Sequence, residues 1–180
     1  LFLTQLARSS DGGNIESIPA SIEILFSSRL DALSTDEQQC LQLGAIIGRQ
    51  FSAQEVSGIM TQPRDISDLM TRLCKLDCLQ RLADGRYRFT HQLFGEVVYQ
   101  SVSSHQTQVW HGRYALLLSE LDDPVTGESL LAIAHHFRLS GDEERGEMFT
   151  LRAANKAAVM GDYVRAERAL ENVSVEYVKR

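Results

Sequence analysis

The sequence predicts a mainly α protein in two parts, a winged helix (helices plus one β-hairpin) followed by TPR-like α-α helical hairpins. Three observations lead there. Apolar residues recur at helical spacing through most of residues 19–100. A single Asp84-Gly85 pair between two short alternating segments marks one hairpin. Beyond Ser104 the pattern is helical throughout, and Gly-Asp recurs at 141–142 and 161–162, where glycine closes one helix and aspartate caps the next.

Each element has its own signal. Residues 1–8 read as the end of a helix and Ser9-Ser10-Asp11-Gly12-Gly13-Asn14 as a loop. Ser17 can cap a helix over 19–32 with Pro19 in its first turn. Ile22, Leu25, Phe26, Leu30 and Leu33 are expected to face inward from it. Ser34-Thr35-Asp36-Glu37-Gln38 offers a capping box for a helix to Ile47, which Gly48-Arg49-Gln50 then breaks. Ser52 with Glu55 is a second capping box, for a short helix carrying Val56, Ile59 and Met60 before Pro63. Ile66, Leu69, Met70, Leu73 and Leu76 mark the apolar face of the next helix. Strands are predicted at 79–82 and 86–89, with positive φ at both Asp84 and Gly85. Thr90 is expected to cap the helix that holds Leu93, Phe94, Val97 and Val98.

In the second part, Trp110, Tyr114, Leu117, Leu118 and Leu121 share a helix face, and Pro124 and Gly127 separate that helix from one over 128–139. Leu131, Ala134, Leu139, Gly141 and Asp142 match Leu151, Ala154, Val159, Gly161 and Asp162 at an offset of 20 residues. This resembles the start of a tetratricopeptide-type array, although its period departs from the usual value of about 34. Ala153, Ala154, Ala157 and Ala158 allow neighbouring helices to approach closely.

The 180 residues suffice for one sizeable domain or two small ones. With 43% apolar and 23% charged residues, the composition is that of a globular protein. A net charge of −6 and the lack of a strongly basic segment make nucleic acid an unfavoured partner. The odd number of cysteines, three, suits reduced thiols and a cytoplasmic location. No apolar stretch approaches the roughly 20 residues that span a bilayer, so no membrane partner is expected. The chain opens on Leu1-Phe2-Leu3 rather than methionine and is expected to come from a longer polypeptide.

Five stretches, in this order, resemble one family. They are Phe2-Leu3-Thr4-Gln5-Leu6-Ala7-Arg8, then Ile18-Pro19-Ala20-Ser21-Ile22 running on to Ser28-Arg29-Leu30-Asp31-Ala32-Leu33, then Gly44-Ala45-Ile46-Ile47-Gly48-Arg49-Gln50-Phe51-Ser52. Tyr87-Arg88-Phe89-Thr90-His91 and Ala134-His135-His136-Phe137 complete the set. Together they resemble the STAND type of AAA+ signal-transduction ATPase, the bacterial regulators fused to nucleotide-cyclase, kinase or transcription-factor domains. The resemblance implies three segments: 1–16 as the end of a preceding ATPase lobe and a linker, 17–104 as a helical linker and winged helix, and 105–180 as a truncated TPR-like array. It also implies a non-catalytic regulatory module whose partners are its own upstream ATPase lobe and a protein bound by the repeats. ATP or ADP with Mg would belong to the intact parent, with no cofactor in this chain. His91 stands where the family's winged-helix histidine touches the ADP diphosphate, although Thr90-His91-Gln92 replaces the usual Met-His-Asp.

The residues themselves support no catalytic centre. No Gly-rich Lys-Ser/Thr loop, Ser/His/Asp arrangement or pocket motif of paired carboxylates occurs. His91, at a helix start, is placed to meet anions. His135 and His136 point about 100° apart on a helix, so one is expected to pack and one to be exposed rather than both binding a metal. Cys74 and Cys78 could share a helix face but read as buried thiols, as does Cys40. Arg72, Lys75, Arg81, Arg86 and Arg88 could form a basic face, the basis of an alternative reading as a DNA-binding winged-helix regulator with a helical dimerisation tail. Asp65, Asp68, Asp77 and Asp84 lie among them, which favours solvated surface or a domain contact.

Overall fold

The computed structural model describes residues 20–62, 65–120 and 126–171. Among these, nine helices and one two-stranded antiparallel sheet make up the regular structure, so the fold is mainly α. The expected helix end at 2–8, the loop at 9–14, the cap Ser17 with Pro19, and the breaks at Pro63 and Pro124 lie outside the described residues, as does Leu121. Contacts among the described residues group 20–57 with 65–102 as one unit and 58–62 with 103–120 and 126–171 as another.

The first unit begins with α1 (Ala20–Asp31), α2 (Thr35–Ile47) and α3 (Ala53–Ile59), whose last turn groups with the second unit. Ser34 caps α2 in a reciprocal box with Glu37, and Ser52 and Glu55 repeat the arrangement before α3. The Gln38 amide donates to the carbonyls of Leu30 and Leu33, satisfying the end of α1. Helix α1 departs from expectation at Leu25, which is 65% exposed. Ile22, Phe26 and Leu30 cluster on one arc of the helix, Leu25 lies roughly 100° from its centre, and Leu33 falls beyond the helix end.

Helix α4 (Ser67–Lys75) buries Met70 and Leu73 and then stops. Asp77 adopts a left-handed φ of 57°, and the Cys78 N–H reaches the Leu73 carbonyl at 2.9 Å while Asp77 N–H reaches Cys74. Leu76, whose N–H still bonds the Arg72 carbonyl, is exposed rather than on the apolar face, because it lies roughly 85° around the helix from the buried arc of Ile66, Met70 and Leu73. The Schellman turn places Cys78 beyond the helix, so Cys74 and Cys78 do not share a helix face; Cys78 is buried and Cys74 half-buried.

Strands β1 (Leu79–Arg81) and β2 (Tyr87–Phe89) pair with Leu79 opposite Phe89 and Arg81 opposite Tyr87. Both are shorter than predicted, although the Leu82 N–H still bonds the Arg86 carbonyl at 2.8 Å. Only Gly85 has positive φ, 83°. Asp84 does not, because the Gly85 N–H closes a turn on the Leu82 carbonyl and only the last position of the three-residue loop 83–85 is left-handed. Helix α5 (Gln92–Gln100) follows, with His91 rather than Thr90 as its N-cap. The reason is register: Thr90 N–H bonds the Cys78 carbonyl, so Thr90 still belongs to the ladder.

One close approach organises this unit. Gly48, at φ 128°, turns the chain after α2 so that Phe51 folds back. Phe51 and Tyr87 exchange backbone hydrogen bonds at 3.0 and 2.7 Å. The fully buried Phe51 ring lies over Gly44, where a Cβ would meet ring carbons at 2.5–2.9 Å.

The second unit contains α6 (Ser104–Glu120), α7 (Gly127–Leu139), α8 (Glu143–Val159) and α9 (Tyr163–Leu170), each packed on the next. Its core is formed by Ala115, Leu130, Ile133, Ala134, Phe137, Phe149 and Ala153. The two Gly-Asp turns are the same device. Gly141 and Gly161 take left-handed φ of 86° and 79°. Asp142 N–H bonds Phe137, and Asp162 N–H bonds Ala157, both at 2.9 Å. Each aspartate side chain then accepts the N–H three residues on, Arg145 or Arg165, to start the next helix. Buried Gly146 lets α7 and α8 close together, since a Cβ there would lie 2.6 Å from Arg138 Cγ.

Gly44→Ala is expected to destabilise the first unit by about 1–3 kcal/mol, because a buried aromatic ring must move. Urea unfolding measures it; a midpoint equal to that of the unsubstituted chain would refute the role given to the Gly44–Phe51 contact.

Candidate functional site

His91 is exposed and stands at the first turn of α5, brought there by the hairpin. Its carbonyl accepts the N–H groups of Phe94 and Gly95 at 3.1 and 3.3 Å. Its side chain makes no capping bond to the first backbone N–H groups of α5. The ring stacks on Phe26, centroids 6.2 Å apart and planes at 25°.

That contact ends an aromatic chain through the unit. Phe51 meets Phe89 at 5.8 Å, Phe89 meets Phe94 edge-on at 6.1 Å, and Phe94 meets Phe26 at 5.4 Å. Arg29 lies over the Phe94 ring at 5.4 Å and donates to the Leu76 carbonyl. Gly95 is required beside Phe89, where a Cβ would sit 2.9 Å from the ring. The position of His91 is therefore set by packing that reaches back to Phe51. Beside it, the buried Thr90 Oγ1 has no hydrogen-bond partner.

Three of the five basic residues singled out in the sequence are engaged within the unit. Arg72 pairs with buried Glu37 at 3.1 Å, Arg86 donates to the Gln50 carbonyl at 2.7 Å, and Arg88 clamps the Gln80 side chain at 2.9–3.0 Å. Bonds from the Ser34 hydroxyl and N–H, with the Arg72 charge adding to them, hold the Glu37 carboxyl below its ordinary value against the opposing effect of burial. Burial pushes the Cys74 and Cys78 thiols up, which makes them poor nucleophiles.

The second unit holds a pair that the sequence pointed to only by half. His136 is buried, as one of the two adjacent histidines was expected to be, and His135 is half-buried. The partner of His136 is His111 on α6, 2% exposed, with the two Nδ1 atoms 2.8 Å apart. One Nδ1 carries a proton and the other is bare, so the accepting ring is neutral, and burial, which lowers both histidines, favours the neutral form of the donor as well. Tyr114 meets His136 edge-on at 4.8 Å. Burial lowers both histidines far below 6.5, assisted by the charge of His135 on each and of His111 on His136. His135 is itself lowered by burial and by Arg138. The signal available in the sequence was that His111 lies on the Trp110–Tyr114 face, one step from Trp110.

Among the described residues, no group of three or more His, Cys, Asp or Glu side chains could hold a metal ion, and no helix is long and apolar enough to cross a membrane. No family model, curated protein or solved structure matches the chain.

The histidine pair has a pH consequence. Both folded-state values lie below the unfolded value, so below about pH 6.5 the unfolded chain binds more protons and stability falls as pH drops. Each histidine contributes a slope of up to about 1.4 kcal/mol per pH unit while it stays neutral in the fold. Denaturant unfolding of the second unit, followed by Trp110 fluorescence at pH values stepped from about 7.5 down to about 5.5, should show this loss. A flat profile would contradict a neutral buried pair.

Proposed function

We propose that the chain is the non-catalytic regulatory segment of a STAND-type signal-transduction ATPase. Its first unit is a winged helix that docks on the nucleotide lobe of the same polypeptide, and its second is a TPR-like array that receives a protein partner. The observation that carries this reading is physical continuity between two stretches of the resemblance. The Gly44–Ser52 stretch and the Tyr87–His91 stretch, 35 or more residues apart in sequence, are joined by the Phe51–Tyr87 bridge and lead by ring contacts to His91. The order α2, α3, α4, hairpin, α5 and the duplicated Gly-Asp turns support it further.

The residues at the start of α5 suit an anion. An exposed imidazole and uncapped helix N–H groups can each donate to a phosphate oxygen. They do not suffice to hold a nucleotide, because no phosphate-cradling loop occurs in the sequence. ATP or ADP with Mg would be held by the ATPase lobe of the parent, in the cytoplasm, and His91 would add one contact that favours the docked state. Signal binding to the repeats would then shift a two-state equilibrium toward undocking. The DNA-binding alternative draws less support, since Arg72, Arg86 and Arg88 are engaged within the unit.

Two outcomes follow. The chain as given should bind neither ATP nor ADP measurably, and micromolar affinity by calorimetry would contradict the reading. In the full-length protein, His91→Ala should speed ADP release roughly ten- to a hundred-fold, the equivalent of one charge-assisted hydrogen bond of about 1–3 kcal/mol. The melting temperature should change little, because His91 is exposed. An unaltered ADP off-rate would return His91 to a packing role against Phe26.

A further inference from the structure

The helices of the second unit meet at seams of different chemistry. Between α7 and α8 the contact is apolar: Phe137 stacks on Phe149, centroids 5.5 Å apart and planes at 19°, within the cluster that also holds Leu130, Ile133, Ala134 and Ala153. Between α6 and α7 it is polar at its centre, where His111 and His136 meet Nδ1 to Nδ1 and Tyr114 closes edge-on against the His136 ring. Helix α6 adds Ala115 to the apolar cluster, with half-buried Leu118 packed against it. The opposite side of α6 is tied to residues 58–62. Arg113 donates there to the Ile59 carbonyl at 3.3 Å and the Thr61 hydroxyl at 3.0 Å, and Leu117 packs on Gly58.

The polar seam has room for one added proton but not for two. Its contact needs a bare Nδ1 on one ring to accept from the other. A first proton enters at the bare Nε2 of the donor ring, and the imidazolium so formed still donates to its partner. A second finds only the accepting Nδ1, and two N–H groups then face each other across 2.8 Å. The groups that shift the pair act against charge there. His135, whose ring lies 5.5 Å from that of His136, lowers both members, and Arg138 lowers His135 in turn. On α8, Arg145 lies over the Phe137 ring, and no α8 group is among those that shift either histidine. Tyr114, on α6, meets the pair with its ring edge, and residues 58–62 contain no titratable side chain.

We propose that the α6–α7 seam is an acid-sensitive latch: two protons taken up by His111 and His136 release α7, α8 and α9 as one body from α6, which keeps its hold on residues 58–62. This goes beyond a loss of overall stability at low pH, since one seam titrates and its neighbours do not. The α7–α8 contact is apolar, the Gly141-Asp142 and Gly161-Asp162 turns join α7, α8 and α9 by backbone bonds, and Arg113 stays charged throughout. In the closed seam burial holds His111 at about 4 and His136 at about 3. Once wetted, both rings return to about 6.5. With closed values below open ones, the open form gains as pH falls from about 6.5 to about 4, by up to about a hundredfold per pH unit.

The experiment is NMR of the whole chain as pH is lowered from about 7 to about 4.5, with side-chain cross-peaks followed at each seam. Those of His111 and Tyr114 to His136 should vanish with a steepness near two protons, while those of Phe137 to Phe149 and of Leu117 to Gly58 persist. The double substitution His111→Asn, His136→Asn leaves amides that can bond each other and take up no proton, so its seam should stay closed over the same range. His111→Asn alone should cut the steepness to about tenfold per pH unit. If the double variant does not fold, the single variant and the unsubstituted chain still decide. Loss of both seams together, an unchanged seam down to about pH 4.5, or an undiminished pH dependence in a folded variant would each overturn the proposal.

Discussion

The first unit depends on a ring placed where another residue has no side chain. Phe51 fills the space above Gly44 and exchanges both backbone hydrogen bonds with Tyr87, so one residue fixes α2 against the hairpin. From there, ring contacts through Phe89, Phe94 and Phe26 set the imidazole of His91 at the start of α5. Each aromatic contact adds only about 0.5–1.5 kcal/mol beyond area burial, but the rings are in series. A shift at Phe51 is passed on through close-packed neighbours rather than absorbed. The Gly-Ala-Ile-Ile-Gly-Arg-Gln-Phe stretch thus has a mechanical meaning: one glycine for close approach, one for the turn, and the phenylalanine as anchor.

The second unit uses repetition instead. Its two Gly-Asp turns each close a helix through a left-handed glycine and open the next through an aspartate cap, so α7, α8 and α9 stack by copying one local solution. What differs between the copies is what the arginine after the cap meets. Arg145 lies over the Phe137 ring, whereas its counterpart Arg165 lies between Glu128 and Asp162. The buried His111–His136 pair adds a polar lock between α6 and α7 that holds while both rings remain neutral.

Local chemistry was legible in the sequence because its causes lie within a few residues. The capping boxes at Ser34 and Ser52, the Gly-Asp turns and the single hairpin all have partners two to five positions away. Reading failed where a distant or competing contact decided. Leu25 matched a helical period yet faces out, and Thr90 looked like a cap yet remains in the strand ladder with Cys78. Asp84 was expected at positive φ, but the residue that takes it outside glycine is Asp77, at the end of α4. Of the candidate site, His91 and its helix start were legible from order alone. The Phe26 stack and the His111–His136 contact, 25 residues apart, were not, since nothing local records which helices meet.

Under the proposed reading the parts to be connected are an imidazole stacked on Phe26 at a helix start without a side-chain cap in one unit, and helices stacked through repeated turns in the other. The central claim is that the first unit answers to a nucleotide held elsewhere in the same polypeptide. The most direct measurement is the sequence of the polypeptide on the N-terminal side of Leu1 in the protein as cells make it. The account predicts a glycine-rich loop ending in Lys-Ser or Lys-Thr within an α/β nucleotide lobe. An unrelated domain in that place, or no such loop anywhere in the full protein, would contradict it.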